Sequence, residues 1–158
     1  MIEIMMVVSI IAIIGALSIP MFKGSDSAKL RGAAAILAAD IDAARTESVT
    51  HGEDRRLLVF DTTNHAYHIA PASDTSTPIT VGGNNQPYTL TYGQGNAQHL
   101  TGVTIQSASV GGDDELGFGV YGELDQATDA AITLEANGAT ITLIINATTG
   151  EVTIGQLE

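Results

Sequence analysis

The 158-residue chain has no cysteine and no tryptophan. The first absence excludes disulfides, thiolate metal sites and a cysteine nucleophile. It leaves the compartment open, because many exported proteins also lack disulfides. Aromatic residues are few, three Phe and four Tyr, so the core must come from aliphatic side chains. Positive charge is scarce and one-sided. Six Lys and Arg face 18 Asp and Glu, for a net charge of −12. All six cations (Lys23, Lys29, Arg31, Arg45, Arg55, Arg56) lie in the first 56 positions, whereas residues 57–158 carry 11 acids and no Lys or Arg. A body this acidic repels phosphate backbones, which excludes ordinary nucleic-acid binding by the C-terminal part. The length suits one domain with an appended element.

What the chain does have is an apolar run at its start. From Ile4 to Ile19 no charge occurs, and only Ser9, Gly15 and Ser18 soften it. With its flanks it spans about 22 residues, roughly 33 Å as a helix, enough to cross a bilayer. A cleaved signal peptide needs a basic start and a small-residue cleavage site, and neither is present. A core helix of a globular domain needs a polar face, and this segment is apolar all round. A plain anchor does not account for Glu3 at one end and Pro20 at the other, since a carboxylate in lipid is costly and requires a partner.

The stretch IEIMMVVSIIAIIGALSIP resembles the N-terminal helix of type IV pilins and of type II secretion pseudopilins. There a glutamate near the start of a hydrophobic helix is followed 17 positions later by a proline, and Glu3 and Pro20 stand 17 apart. In that family a prepilin peptidase cuts a short basic leader ahead of an N-methylated residue. The corresponding triplet here is Met1-Ile2-Glu3, which places the leader and the first mature residues ahead of this numbering. The resemblance implies a pilin-like α+β fold, with a long N-terminal helix on an antiparallel sheet. It also implies a subunit that waits in the bacterial inner membrane as a single pass. The subunit then polymerises with copies of itself, or with other pilins or pseudopilins, into a periplasmic or extracellular helical filament. Its partners would include the prepilin peptidase and the assembly machinery. Glu3 would pair with the N-terminal amine of a neighbouring subunit. Gly15 and Pro20 mark the weak place of the helix, expected to become extended between about Gly15 and Gly24 on assembly.

The helical pattern continues beyond the run. Leu30, Ala34, Leu37, Ile41, Ala44 and Ser48 follow 4-3-4-3-4 spacing, a narrow stripe rich in Ala that suits a flat partner such as a sheet. Charged residues occupy the other face, and His51-Gly52 is a stop signal near Thr50. The chain therefore divides into an apolar helix half at 1–22, an amphipathic half at 23–52 and a β domain at 53–158. Strand periodicity appears at 56–61 and 66–70, then at 88–92, 103–105 and 116–120, with a long Pro- and Gly-bearing loop at 71–86 in which 79–81 reads as a short strand. The last 30 residues read as a meander, with Asn137-Gly138 as a hairpin turn. The passage LAADIDAARTESVTHGEDRRLLVFD is similar to the helix-to-first-strand segment of GspH/FimT-type pseudopilins, as are Phe118, Gly122 and the closing Gly150-Glu151-Val152.

No catalytic constellation emerges, so the chain reads as a non-enzyme. Gly-x-Ser-x-Gly, a Walker loop and a dinucleotide fingerprint are all missing. His65 and His68, three apart on a strand, point to opposite faces and make poor joint ligands. Asp113-Asp114-Glu115 and Glu123, Asp125 and Asp129 offer oxygen ligands of the kind Ca²⁺ takes, and some major pseudopilins bind calcium. Neither group has an EF-hand loop, and a solvated acidic surface is the better reading, with no cofactor required. In a filament, Arg45, Arg55 and Arg56 are the expected intersubunit partners for Asp113, Asp114 or Glu123. Two other readings stand beside the filament subunit. One is a membrane-anchored periplasmic binding domain. The other is a DNA-uptake minor pilin, which would need exposed cations that residues 57–158 do not offer.

Overall fold

The computed structural model describes the backbone over residues 2–80 and 86–158, and side chains from residue 26 onward. One helix, α1 (Ile2–Thr50), occupies the first third of the chain. At 1.5 Å per residue its 49 residues extend about 74 Å. Its backbone is helical through Pro20 in the single chain. The extended stretch between about Gly15 and Gly24 is an expectation for the assembled filament, and the single chain shows a continuous helix there. The side chains of the apolar run lie outside the described residues; among the described ones, no helix is long and apolar enough to cross a membrane.

The stripe read from the spacing is the buried face. Leu30, Ala34, Leu37, Ile41, Ala44 and Ser48 are all fully buried, and Ala33 joins them. Among the described residues eight strands follow: β1 (Arg56–Asp61), β2 (Ala66–Pro71), β3 (Thr89–Thr91), β4 (Thr104–Ser109), β5 (Glu115–Gly117), β6 (Ala130–Ala136), β7 (Ala139–Ile145) and β8 (Val152–Ile154). A short 3-10 helix at Gly95–Leu100, which the sequence pattern does not announce, links β3 to β4.

The α+β architecture is the expected one, but the β part divides into two four-stranded antiparallel sheets rather than one. The first has the order β3-β2-β1-β5 and the second β4-β6-β7-β8. The β1–β2 hairpin takes β3 on one side and β5 on the other, while the β6–β7–β8 meander takes β4 on its free edge. Helix α1 packs against β1 of the first sheet and against β6, β7 and β8 of the second, so its stripe serves both. Along β6 every second residue (Ala130, Ile132, Leu134, Ala136) is buried, and Leu143 and Ile141 sit opposite Ile132 and Leu134 on β7. Asn137 (φ 53°) and Gly138 (φ 81°) both take the left-handed conformation that a tight two-residue hairpin turn requires.

Helix direction gives the body two ends. Asp26 and Lys29 meet Asn137 and the Thr101 carbonyl at the end nearer the apolar run. Arg45 and Ser48 meet residues 118–122 at the far end.

Candidate assembly surface

The far end is built by a tight hairpin over residues 117–125. Phe118 bridges Leu124, Gly119 N donates to the Glu123 carbonyl at 2.7 Å, and Asp125 N donates to the Gly117 carbonyl at 3.1 Å. Two glycines lie under carboxylates of the hairpin itself. A Cβ at Gly117 would run into the Asp125 carboxylate, and one at Gly119 into the Glu123 carboxylate.

Three donors from the helix and its exit hold this hairpin. Ser48 Oγ, the one buried polar side chain of the stripe, donates to the Phe118 carbonyl at 3.1 Å. Arg55 Nη1 donates to the same oxygen at 3.2 Å. Arg45 Nε donates to the Gly122 carbonyl at 2.9 Å. Gly122 (φ +83°) and Gly150 (φ +66°) leave the room that the Arg45 side chain fills, and a Cβ at Gly150 would strike both the Gly122 carbonyl and Arg45. A hydrogen bond from a charged donor contributes about 1.5–3 kcal/mol, so the arginines fasten the hairpin to the helix and its exit.

The expected charge candidates thus separate into two groups. Arg45, Arg55 and Glu123 lie at the far end, where Glu123 accepts from Tyr121 N at 3.0 Å. Arg56 pairs with Asp54 at 3.2 Å. Asp113 and Asp114 stand at the opposite end of the β1–β5 pair: Asp113 accepts from Glu115 N, and the Asp114 carbonyl accepts from Phe60 N at 2.9 Å. Within the single chain, no ion pair joins the arginines Arg45 and Arg55 to any carboxylate among the described residues. Glu3, Gly15 and Pro20 are on α1, with their surroundings outside the described residues.

The other acids bond to backbone and side chains of nearby loops. Asp129 accepts from Ala147 N at 2.7 Å, and among the described residues no three His, Asp or Glu side chains converge on a metal position. His65 and His68 do not converge, because His65 lies in the turn before β2 and only His68 is on the strand. His68 donates to the Thr75 carbonyl at 2.9 Å, while His65 sits in the β1–β2 turn with φ 51°. Hydrogen bonds from Asn64 to Asp61, from Ser76 to Asp74 and from Ser73 to Asp54 hold those exposed carboxylates below their ordinary range.

One cluster is absent from the sequence reading. Asp40, on the flank of the helical stripe, accepts from Tyr67 OH at 2.7 Å and from Tyr88 OH at 2.6 Å. Tyr92 packs edge-on against Tyr67 with ring centroids 6.1 Å apart. Burial first, with the Asp40 charge adding to it, raises all three phenols well above their ordinary value. The only sequence signal was that Asp40 lies three residues from Leu37 and four from Ala44, at the edge of the stripe.

No protein-family profile matches the chain, and no curated protein matches it. Among solved structures, the type IV minor pilin FimU of Pseudomonas aeruginosa matches in two crystal forms, with TM-scores of 0.52 and 0.53 and 18% identity. Each match covers 80% of this chain, and 93% and 88% of the respective FimU chains. At that identity the likeness is one of architecture: this chain has the fold of a type IV pilin.

Proposed function

We propose that this chain is a structural subunit, not an enzyme, of a type IV pilus-like filament or a type II secretion pseudopilus. The observation that carries the reading is one helix with two halves. Its apolar half bears Glu3 and Pro20, and its other half is the spine of a β body. The likeness to FimU supports the reading at the level of fold. On this proposal the apolar half resides in the bacterial inner membrane until assembly, then enters the core of a periplasmic or extracellular filament with copies of itself or other pilins. Burying large aliphatic side chains there contributes about 1.5–3 kcal/mol each. Glu3 in that low-dielectric core needs a cation, because an unpaired buried carboxylate costs several kcal/mol.

Filament formation by the wild-type chain and by Glu3→Ala, both produced with their assembly machinery and imaged by negative stain, tests the proposal. Wild-type filaments are expected, with Glu3→Ala inserting into membranes normally but entering filaments poorly. Normal yield from the variant would remove the pairing role of Glu3. The absence of any wild-type filament would overturn the subunit reading itself.

A further inference from the structure

The far end of the body carries a surface that the hairpin's own fastening does not explain. Of the five large apolar residues exposed among the described ones, three gather there: Val49, Val120 and Tyr121. Tyr121, at the hairpin tip, is 88% exposed. Val120 reaches back to helix end residue Gly52, its Cγ1 3.9 Å from where a Cβ would stand. Tyr121 and Val49, together with Asp42, Arg45, Thr46 and Thr50, line a cleft of about 470 Å³.

Arg45 forms the cationic wall of this cleft. Its Nε is committed to the Gly122 carbonyl, and neither terminal nitrogen has a hydrogen-bond or ion-pair partner among the described residues. Asp42, on the same rim, does not pair with it. Lys29 and Arg56 are matched to Asp26 and Asp54. Among the described residues, Arg45 and Arg55 are two cations without an ion-pair partner at one end of a chain whose later two-thirds is purely acidic, while Arg31, also without one, lies toward the other end of the helix.

The complementary surface lies at the other end of the same strand pair. In the β1–β5 register Leu57 faces Gly117 and Val59 faces Glu115. The hairpin therefore departs beyond the Arg56 end of β1, and the turn at 111–114 arrives at the Asp61 end, about 20 Å away at strand spacing. That turn presents Asp113 and Asp114, both exposed and neither in an ion pair. It is preorganised by left-handed Gly111, Gly112 and Asp114 and by the Phe60 N to Asp114 carbonyl bond.

We infer that the Arg45–Val49–Tyr121 cleft receives the Asp113–Asp114 turn of a second copy of this chain, a head-to-tail contact. It rests on the filament reading and names the body surfaces by which copies meet. Two acidic bodies repel in most orientations, and the orientation that sets unmatched cations against unmatched acids is selected electrostatically. Because the two surfaces are distinct and lie at opposite ends, the contact is heterologous and propagates instead of closing on itself. Tyr121 and the valines supply the apolar area that surrounds the charge pair and excludes water from it.

The chain has no native cysteine, so engineered pairs report without background. Full-length Tyr121→Cys and Asp113→Cys chains, each altered at an exposed position, are mixed, assembled and mildly oxidised. The 113–121 disulfide is expected to exceed the 113–113 and 121–121 products about tenfold. Tyr121→Asp, which sets an acid against the incoming turn, is expected to weaken self-association about tenfold with an unchanged circular dichroism spectrum. Sedimentable polymer that lacks the 113–121 product would overturn this contact and leave the filament reading in place. Neither polymer nor crosslink would overturn both. Crosslinking of position 121 to a different pilin in preference to position 113 would overturn the choice of occupant.

Discussion

Asp40 shows how much one residue can organise. Its carboxylate draws the hydroxyls of Tyr67 and Tyr88, from β2 and the entry to β3, onto the helix. Tyr92 lies beside them with a buried hydroxyl that finds no hydrogen-bond partner among the described residues. The two kinds of hydroxyl should respond oppositely to removal. Tyr67→Phe deletes a bond to a charged acceptor and is expected to cost about 1.5–3 kcal/mol in chemical denaturation, whereas Tyr92→Phe removes an unsatisfied group and should be neutral or slightly stabilising. The same cluster sets an alkaline limit. An unfolded tyrosine ionises near pH 10, but burial and the Asp40 charge keep these phenols protonated to higher pH in the folded chain. Above about pH 10 the unfolded state binds fewer protons than the folded one, so stability present below that pH declines as pH rises. An alkaline titration followed by circular dichroism should show this decline, and in Tyr67→Phe, with one fewer phenol to ionise, stability should fall less steeply above about pH 10, from a lower starting value. None of the cluster was legible beforehand, because it joins a helix flank to three tyrosines spread over 26 positions of β structure.

At the scale of elements, legibility followed locality. The helical stripe and the Asn137-Gly138 hairpin each depend on residues within a few positions of one another, and both were readable from spacing. The partition into two sheets was not, since it depends on whether β4 joins β6 and β5 joins β1, choices made between distant segments. The Gly95–Leu100 turn carries no apolar period to betray it. The alanines of the stripe give this scale its prediction. Ala34 is fully buried where α1 meets the sheets, and close approach depends on its small side chain. Ala34→Leu should overpack that contact by about 1–3 kcal/mol, seen as a lower denaturation midpoint. The same change at exposed Ala39 should have little effect. Of the surface residues, the arginines were legible as candidates from charge alone. Their carbonyl partners, and Tyr121 beside them, depend on a hairpin whose glycines only the fold explains.

For the whole molecule, charge sets long-range behaviour and packing sets the short-range hold. Lowering ionic strength from 0.15 M to 0.01 M lengthens the screening distance from about 8 Å to about 30 Å. In the proposed filament, repulsion between the acidic bodies then reaches neighbouring copies, while a contact at about 3–4 Å, such as the proposed Arg45 pair, gains little. Filaments are expected to shorten or dissociate at low salt, measured by sedimentation; unchanged length would mean that the apolar helices alone hold the polymer. The two-ended helix has a further, mechanical consequence. A pull on the apolar half reaches the body at Asp26 and runs parallel to the stripe from Leu30 to Ser48, about 27 Å of interface at helical rise. The load is therefore shared in shear along the whole stripe, not peeled from one edge. Ser48 and Arg45 lie at its distal end, where they act as the terminal anchor. A body fastened to its stalk in this way is expected to resist until the entire stripe slips at once, so in a pulling experiment it should release in one high-force step and not by gradual peeling.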